Sequence, residues 1–354
     1  MKSLAQAFLR CAAYLFGVAS LVAGLAVLSS IPVLNFLAFG YLLEAAGRTA
    51  RSGRWRDGIF GHREAALLGA VALAGWMLVL PIRFISSLWR DADLLGAAAP
   101  SIRITGALLL LLTGGLLVVV VLGLLGVGYV HGRDLPGQSR FLSRGRDGLL
   151  ALLVDLRLPR LFTLGLCGWI GGFAWLVLPI GVFYAASRIP SNAAVLVMGI
   201  GLILLVPVAT SLPLVQARFA ASRRFRDLFD WPGQRRSFQQ APLASLVAVL
   251  ATFLAALPLY LLKIELTPRD LAWLPGLFFI LLLWPAKILA GWAIYRAEQN
   301  PLPRPGIWTW SARLLLITAG LAYGLLIWTM QYLSWSGARS FLEQHAFLLP
   351  APLL

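Results

Sequence analysis

Along this chain apolar residues gather into runs of roughly 20, each closed by a short polar stretch, and that is the length at which a helix crosses a bilayer core of about 30 Å. The runs fall at 11–28, 33–47, 65–85, 104–130, 161–187, 193–216, 242–262, 271–295 and 312–335. They predict an all-α fold: a polytopic transmembrane helical bundle of about nine spans. The run at 33–47 is the shortest, about 22 Å at 1.5 Å per residue. It either spans among tapering neighbours or is re-entrant. Pro81 interrupts the third run near its end, and Pro207 and Pro213 bend the sixth. Residues 86–103 and 217–241 read as polar loops, and 149–158 as a short interfacial helix.

Composition agrees with this pattern. The 354 residues are 60% apolar and 12% charged, against about a quarter charged in soluble domains, and mean hydropathy is +0.83. No polar stretch is long enough for a soluble catalytic domain. The N-terminal run continues too far for a removed leader and predicts the first membrane helix. The expected organisation is a first membrane module over 1–160, a second over 161–311, and a final helix with an external tail over 312–354.

Charge sets the orientation. The net charge of +16 would suggest nucleic acid in a soluble protein, but here it distributes by side. Alternate loops beginning with the N-terminus carry 22 Lys and Arg, the other side carries 7, and Lys287 falls within a span. Short cytoplasmic loops concentrate Lys and Arg. The N-terminus is therefore expected inside and, with nine spans, the C-terminus outside. Trp89, Trp231, Trp273, Trp308, Trp310 and Trp335 fall at run ends, where indole rings favour the interface.

One basic stretch occurs twice. Arg48-Thr-Ala-Arg-Ser-Gly-Arg-Trp-Arg-Asp57 matches Arg218-Phe-Ala-Ala-Ser-Arg-Arg-Phe-Arg-Asp227 at six of ten positions, with Trp55 and Phe225 aligned. The offset covers four crossings, so the copies are parallel, as in a duplicated four-helix module. Such repeats occur in transporters. They also arise by duplication without transport. The arginines of these loops, Arg48, Arg51, Arg54 and Arg56 with Arg218, Arg223, Arg224 and Arg226, are suited to anionic headgroups, at about 1 kcal/mol each near the surface.

Two residues stand out for chemistry. Lys287 lies inside the eighth run, where an ionisable group is a functional candidate. Its face, with Ala290, Gly291 and Ile294, is expected to meet other helices. Its alternative is a lysine snorkelling beside Pro285. Glu44 is the one acid inside a run. Pairing with Arg48 one turn on explains it, and pairing with Lys287 would make an intramembrane polar site. The Gly168/Gly172 and Gly320/Gly324 spacings predict close helix packing. Cys11, Cys167 and the histidines His62, His131 and His345 have no metal-ligand spacing, and the nucleotide-loop, zinc-protease and serine-hydrolase patterns are absent. No cofactor or catalytic residue is expected. The expected partners are the bilayer and its anionic headgroups, not nucleic acid, and the pattern is compatible with a homo-oligomer.

Residues Ile31-Pro32, Gly40-Tyr-Leu-Leu43, Arg48, Arg51 and Gly53 resemble a bacterial family of multi-pass membrane proteins that carries a domain of unknown function. The family's acidic turn after the basic run is replaced here by Arg54-Trp-Arg-Asp-Gly58. The resemblance implies a bacterial inner-membrane location and no activity. Function is expected to be structural or assembly-related, or alternatively that of a transporter or channel subunit with a mid-membrane site near Lys287.

Overall fold

A computed structural model describes residues 2–94, 99–132, 141–261, 274–300, 302–304, 306–334, 337–343 and 349. The described residues are almost entirely helical and contain no strand: α1 (Lys2–Ser30), α2 (Asn35–Ser52), α3 (His62–Leu94), α4 (Ala99–His131), α5 (Phe141–Asp155), α6 (Leu158–Ala186), α7 (Ala193–Ser222), α8 (Trp231–Gln240), α9 (Pro242–Leu261), α10 (Leu274–Glu298), α11 (Gly306–Leu333) and the single turn α12 (Ser340–Glu343). Among them, eight candidate spans are long and apolar enough to cross a membrane. The chain is a multi-pass helical membrane protein.

Helix α2 is not one of the eight. It carries Glu44, Arg48 and Arg51, which lower its hydropathy. It tolerates them because 14 of its 18 residues are buried in protein, so apolarity toward lipid is not required of it. Other boundaries also moved. Helix α3 runs unbroken through Pro81 to Leu94, so 86–94 is helix and not loop. The helix expected at 149–158 begins at Phe141 and ends at Asp155. Within 217–241 lies a ten-residue helix, α8, started by Asp230, whose carboxylate accepts a hydrogen bond from the Gly233 amide at 3.0 Å, with Pro232 in the first turn.

The chain packs as two compact units. The first comprises residues 1–24 and 61–157. In it α3 lies on α1 and α4, and α5 folds back on α4 so closely that Gly128 meets the backbones of Gly145 and Gly148. His131 bonds Asp155 at 2.9 Å. The long apolar side chains of α4, among them Leu110 and Leu111, are exposed, as suits a helix turned to lipid.

The second unit comprises 25–60 and 158–354. Its centre is α2, packed against α6, α7 and α10. Gly40 faces the Leu161 carbonyl and Gly165, Gly47 faces the Ala220 carbonyl, and Gly291 of α10 faces the Ala46 carbonyl. None of these places has room for a Cβ, so the backbones touch, as in small-residue membrane packing. The two glycine pairs anticipated from spacing also sit at contacts: Gly168 on Leu43, Gly172 on Gln216, Gly320 on Val206 and Gly324 on Leu202. Of the interface tryptophans, Trp231, Trp308 and Trp310 are exposed and Trp89 half-exposed. Trp273, Trp335 and His345 lie outside the described residues.

Candidate functional site

The two basic runs fold alike. Helices α2 and α7 end at Ser52 and Ser222, each followed by a left-handed residue, Gly53 (φ 71°) and Arg223 (φ 60°). Arg54 and Arg224 are then extended, and one 3-10 turn follows in each, Trp55–Gly58 and Phe225–Leu228. The Ser52 hydroxyl accepts from the Arg54 amide at 3.2 Å, and Ser222 from Arg224 at 3.3 Å. A tryptophan anchors each turn: Trp284 Nε1 donates to the Gly58 carbonyl at 3.0 Å, and Trp175 Nε1 to the Leu228 carbonyl at 2.9 Å. The serine caps and 3-10 turns are thus reproduced at an offset of 170 residues.

These two ends meet. Arg51 Nη1 donates to the carbonyls of Ala220 and Ala221, both at 3.1 Å. Glu44, nearly buried, is the hub. It accepts from Arg48 at 3.2 Å, from Arg51 at 3.3 Å, and from Arg223 at 3.0 and 3.1 Å through its two oxygens. Charge-assisted bonds of this kind contribute about 1.5–3 kcal/mol each when shielded, less here because the arginines are 37–40% exposed. Arg48 also stacks on Phe60, 3.8 Å from its ring centre. Phe60 in turn is fixed by Tyr41, which stacks at 4.2 Å and donates to its carbonyl at 2.8 Å. The cluster joins three cations to one carboxylate.

Lys287 is 1% exposed and does not reach toward an interface. Its ammonium donates to the Gln216 amide oxygen on α7 and lies 5.4 Å from the Phe39 ring centre on α2. Ala290, Gly291 and Ile294 are buried with it. The pairing anticipated between Glu44 and Lys287 is not formed. Among the described residues Glu44 takes three arginines and no ion pair reaches Lys287.

The remaining arginines divide. Arg218 turns to Asp230 at 2.6 Å and staples α8 to α7. The Asp230 carboxyl is held below its usual range, first by the Gly233 amide and then by Arg218. Arg54, Arg56, Arg224 and Arg226 stand exposed, with Arg226 3.9 Å from Asp227. Sequence reading missed Gln216, which it placed at a helix end. It also missed the buried Tyr260–Tyr323 hydroxyl pair at 2.8 Å. Arg223 as the counterpart of Gly53 was legible in the ten-residue alignment. Comparison with family models, with curated proteins and with solved structures gives no match for this chain.

Proposed function

We propose that this protein is a structural or assembly component of a bacterial inner membrane, with a cytoplasmic N-terminus and an external C-terminus, and that it is not an enzyme. One observation carries the reading. Glu44 and Lys287, the ionisable groups singled out inside the bundle, are both engaged by side chains of other helices. Neither lines the two cavities formed along α7, α8, α9, α10 and α11. Such groups then specify one arrangement of helices, the role buried polar residues play in membrane bundles. The charge bias between loops supports the orientation. The likeness of the two basic runs in sequence and fold supports duplication of a membrane module, and the family resemblance supports the inner membrane. The partners proposed are the bilayer, its anionic headgroups at the exposed arginines, and a second copy of the chain.

A transporter or channel subunit is the second reading. It is favoured by Lys287 itself, a cation within a span with no carboxylate at salt-bridge distance among the described residues. Lys287→Cys, in a background with Cys11 and Cys167 replaced by serine, separates the two. Under the structural reading, membrane-permeant and impermeant maleimides both leave position 287 unlabelled. Labelling by the impermeant reagent from either side reveals a water path and rejects the structural reading.

A further inference from the structure

Beside α8 lies a cavity of about 470 Å³ that the Glu44 and Lys287 sites do not touch. Its walls come from α7, α8 and α11. Val206, Pro207, Leu316 and Ile317 make it apolar toward the membrane. Arg235 of α8 and Arg313 of α11 line its polar end, and among the described residues neither forms an ion pair with a carboxylate. Arg313 instead lies beside aromatic rings, its guanidinium carbon 5.8 Å from the ring centre of Phe238 and 5.4 Å from that of Trp310. This leaves its charge directed by packing and not neutralised.

A second observation is independent of the charge. Gln234 lines the same cavity and is 5% exposed, and its side-chain oxygen is buried without a hydrogen-bond partner among the described residues. A buried acceptor left unmet costs about 1–3 kcal/mol, so the site lacks a donor. The hydroxyls of Thr210 and Ser211 are turned back on α7, bonding the Val206 and Pro207 carbonyls at 2.7 and 2.5 Å, and do not supply it.

From these features we infer that the cavity is a binding site for an anionic glycerophospholipid with a hydroxyl-bearing headgroup. The phosphate sits between Arg235 and Arg313, a headgroup hydroxyl donates to the Gln234 oxygen, and an acyl chain lies along Pro207 and Ile317. The apolar wall between two membrane-spanning helices selects a lipid over a free anion, and the two unneutralised arginines select an anionic lipid over a zwitterionic one. This goes beyond the structural reading and does not depend on it.

The test uses the full chain purified in mild detergent, titrated with phosphatidylglycerol or phosphatidylcholine of identical chains and followed by native mass spectrometry. The wild type is expected to favour phosphatidylglycerol by roughly 30-fold, the sum of two interfacial arginines. Arg235→Gln with Arg313→Gln should abolish that preference, and Gln234→Leu should narrow it. Ile317→Trp, which fills the apolar slot, should weaken both lipids. Arg83→Gln with Arg90→Gln, on α3 and outside both basic runs, should leave the preference unchanged. Helical content and elution volume report folding for each variant. An undiminished preference in the double arginine variant overturns the inference. So does displacement of the lipid by millimolar inorganic phosphate, which would make the site one for free anions.

Discussion

Arg223 bonds both carboxylate oxygens of Glu44, at 3.0 and 3.1 Å, from a left-handed backbone position (φ 60°) that Gly53 (φ 71°) occupies in the first basic run. One copy of the motif therefore uses the residue that adopts this conformation freely. The other holds an arginine there, at a cost of about 1–2 kcal/mol. The strained arginine reaches the acid on the helix paired with its own, so the two runs are alike in backbone and complementary in charge.

Arg223→Ala keeps the strain and loses the ion pair, whereas Arg223→Gly loses the pair and relieves the strain. The alanine variant should lose about 1–2 kcal/mol of stability, discounted for the partial exposure of Arg223. The glycine variant should lose about 1 kcal/mol less than that. Thermal unfolding in detergent reads the order wild type, glycine, alanine. Equal midpoints for the two variants would show that the left-handed backbone carries no strain.

The core pair makes a sharper contrast. Gln216→Leu leaves the Lys287 side-chain nitrogen without its acceptor on α7 and should cost about 1–3 kcal/mol, the penalty of a buried polar group left unmet. Lys287→Met with Gln216→Leu replaces the pair by apolar groups and should lie within about 1 kcal/mol of wild type. A double variant as unstable as Gln216→Leu alone would mean that the lysine contributes something besides pairing.

Close approach at α2 can be tested by adding one carbon. At Gly40 an added Cβ collides with the Leu161 carbonyl, while at Gly24 in α1 it meets nothing within 4 Å. Gly40→Ala should therefore destabilise by about 1–3 kcal/mol through forced separation of α2 and α6. Gly24→Ala should be neutral or gain up to about 1 kcal/mol from helix propensity. Unfolding midpoints that move together would contradict the packing described at α2.

Much of this was legible in the chain because a bilayer imposes one simple demand, a long apolar run for each helix. Over their described residues, the runs at 11–28, 65–85, 104–130, 161–187, 193–216, 242–262, 271–295 and 312–335 fall on long helices. The short polar α2 obeys a different demand, burial by neighbours, which no local window reports. Helix α8 carried a readable start in Asp230-Trp-Pro232, hidden among the arginines around it. The face of Lys287 was predictable from Ala290 and Gly291. Its partner was not, because Gln216 reaches it across 71 residues of chain and a single sequence holds no trace of that distance. Glu44 was read as a local pair with Arg48, which is present. Arg223 came as the addition that tertiary structure alone supplies.

Helix α8 should respond to acid. The folded Asp230 carboxyl titrates below its ordinary range because the Gly233 amide and Arg218 favour its charged form. Its contribution is thus fully present above the unfolded carboxylate value of about 3.9 and is lost as pH falls through the lower folded value. Hydrogen exchange of α8 amides, corrected for intrinsic rate, should show constant protection from neutral pH to about 5 and a decline below 4. Asp230→Asn should remove most of that decline. A wild-type protection that already falls between pH 7 and 5 would assign the acid response to another group.

The side on which α2 ends follows from its contacts and not from its hydropathy. At one end of α10, Gly276 meets Ala26, Ser29 and Ser30 of α1; at the other, Tyr295 meets Gly53. Helix α2 thus runs beside a membrane-spanning helix from one level to the other, about 27 Å for 18 residues. Its end touches the end of α7 through Gly47, Ala220 and Arg51. In a background lacking Cys11 and Cys167, single cysteines at Ser30, Ser52, Ser191 and Ser222 should divide two and two. Ser52→Cys and Ser222→Cys should label together with an impermeant maleimide in inverted vesicles, as the 22-to-7 charge bias requires. Ser30→Cys and Ser191→Cys should label in right-side-out vesicles. Labelling of positions 30 and 52 from the same side would make α2 re-entrant and reduce the spans to an even number.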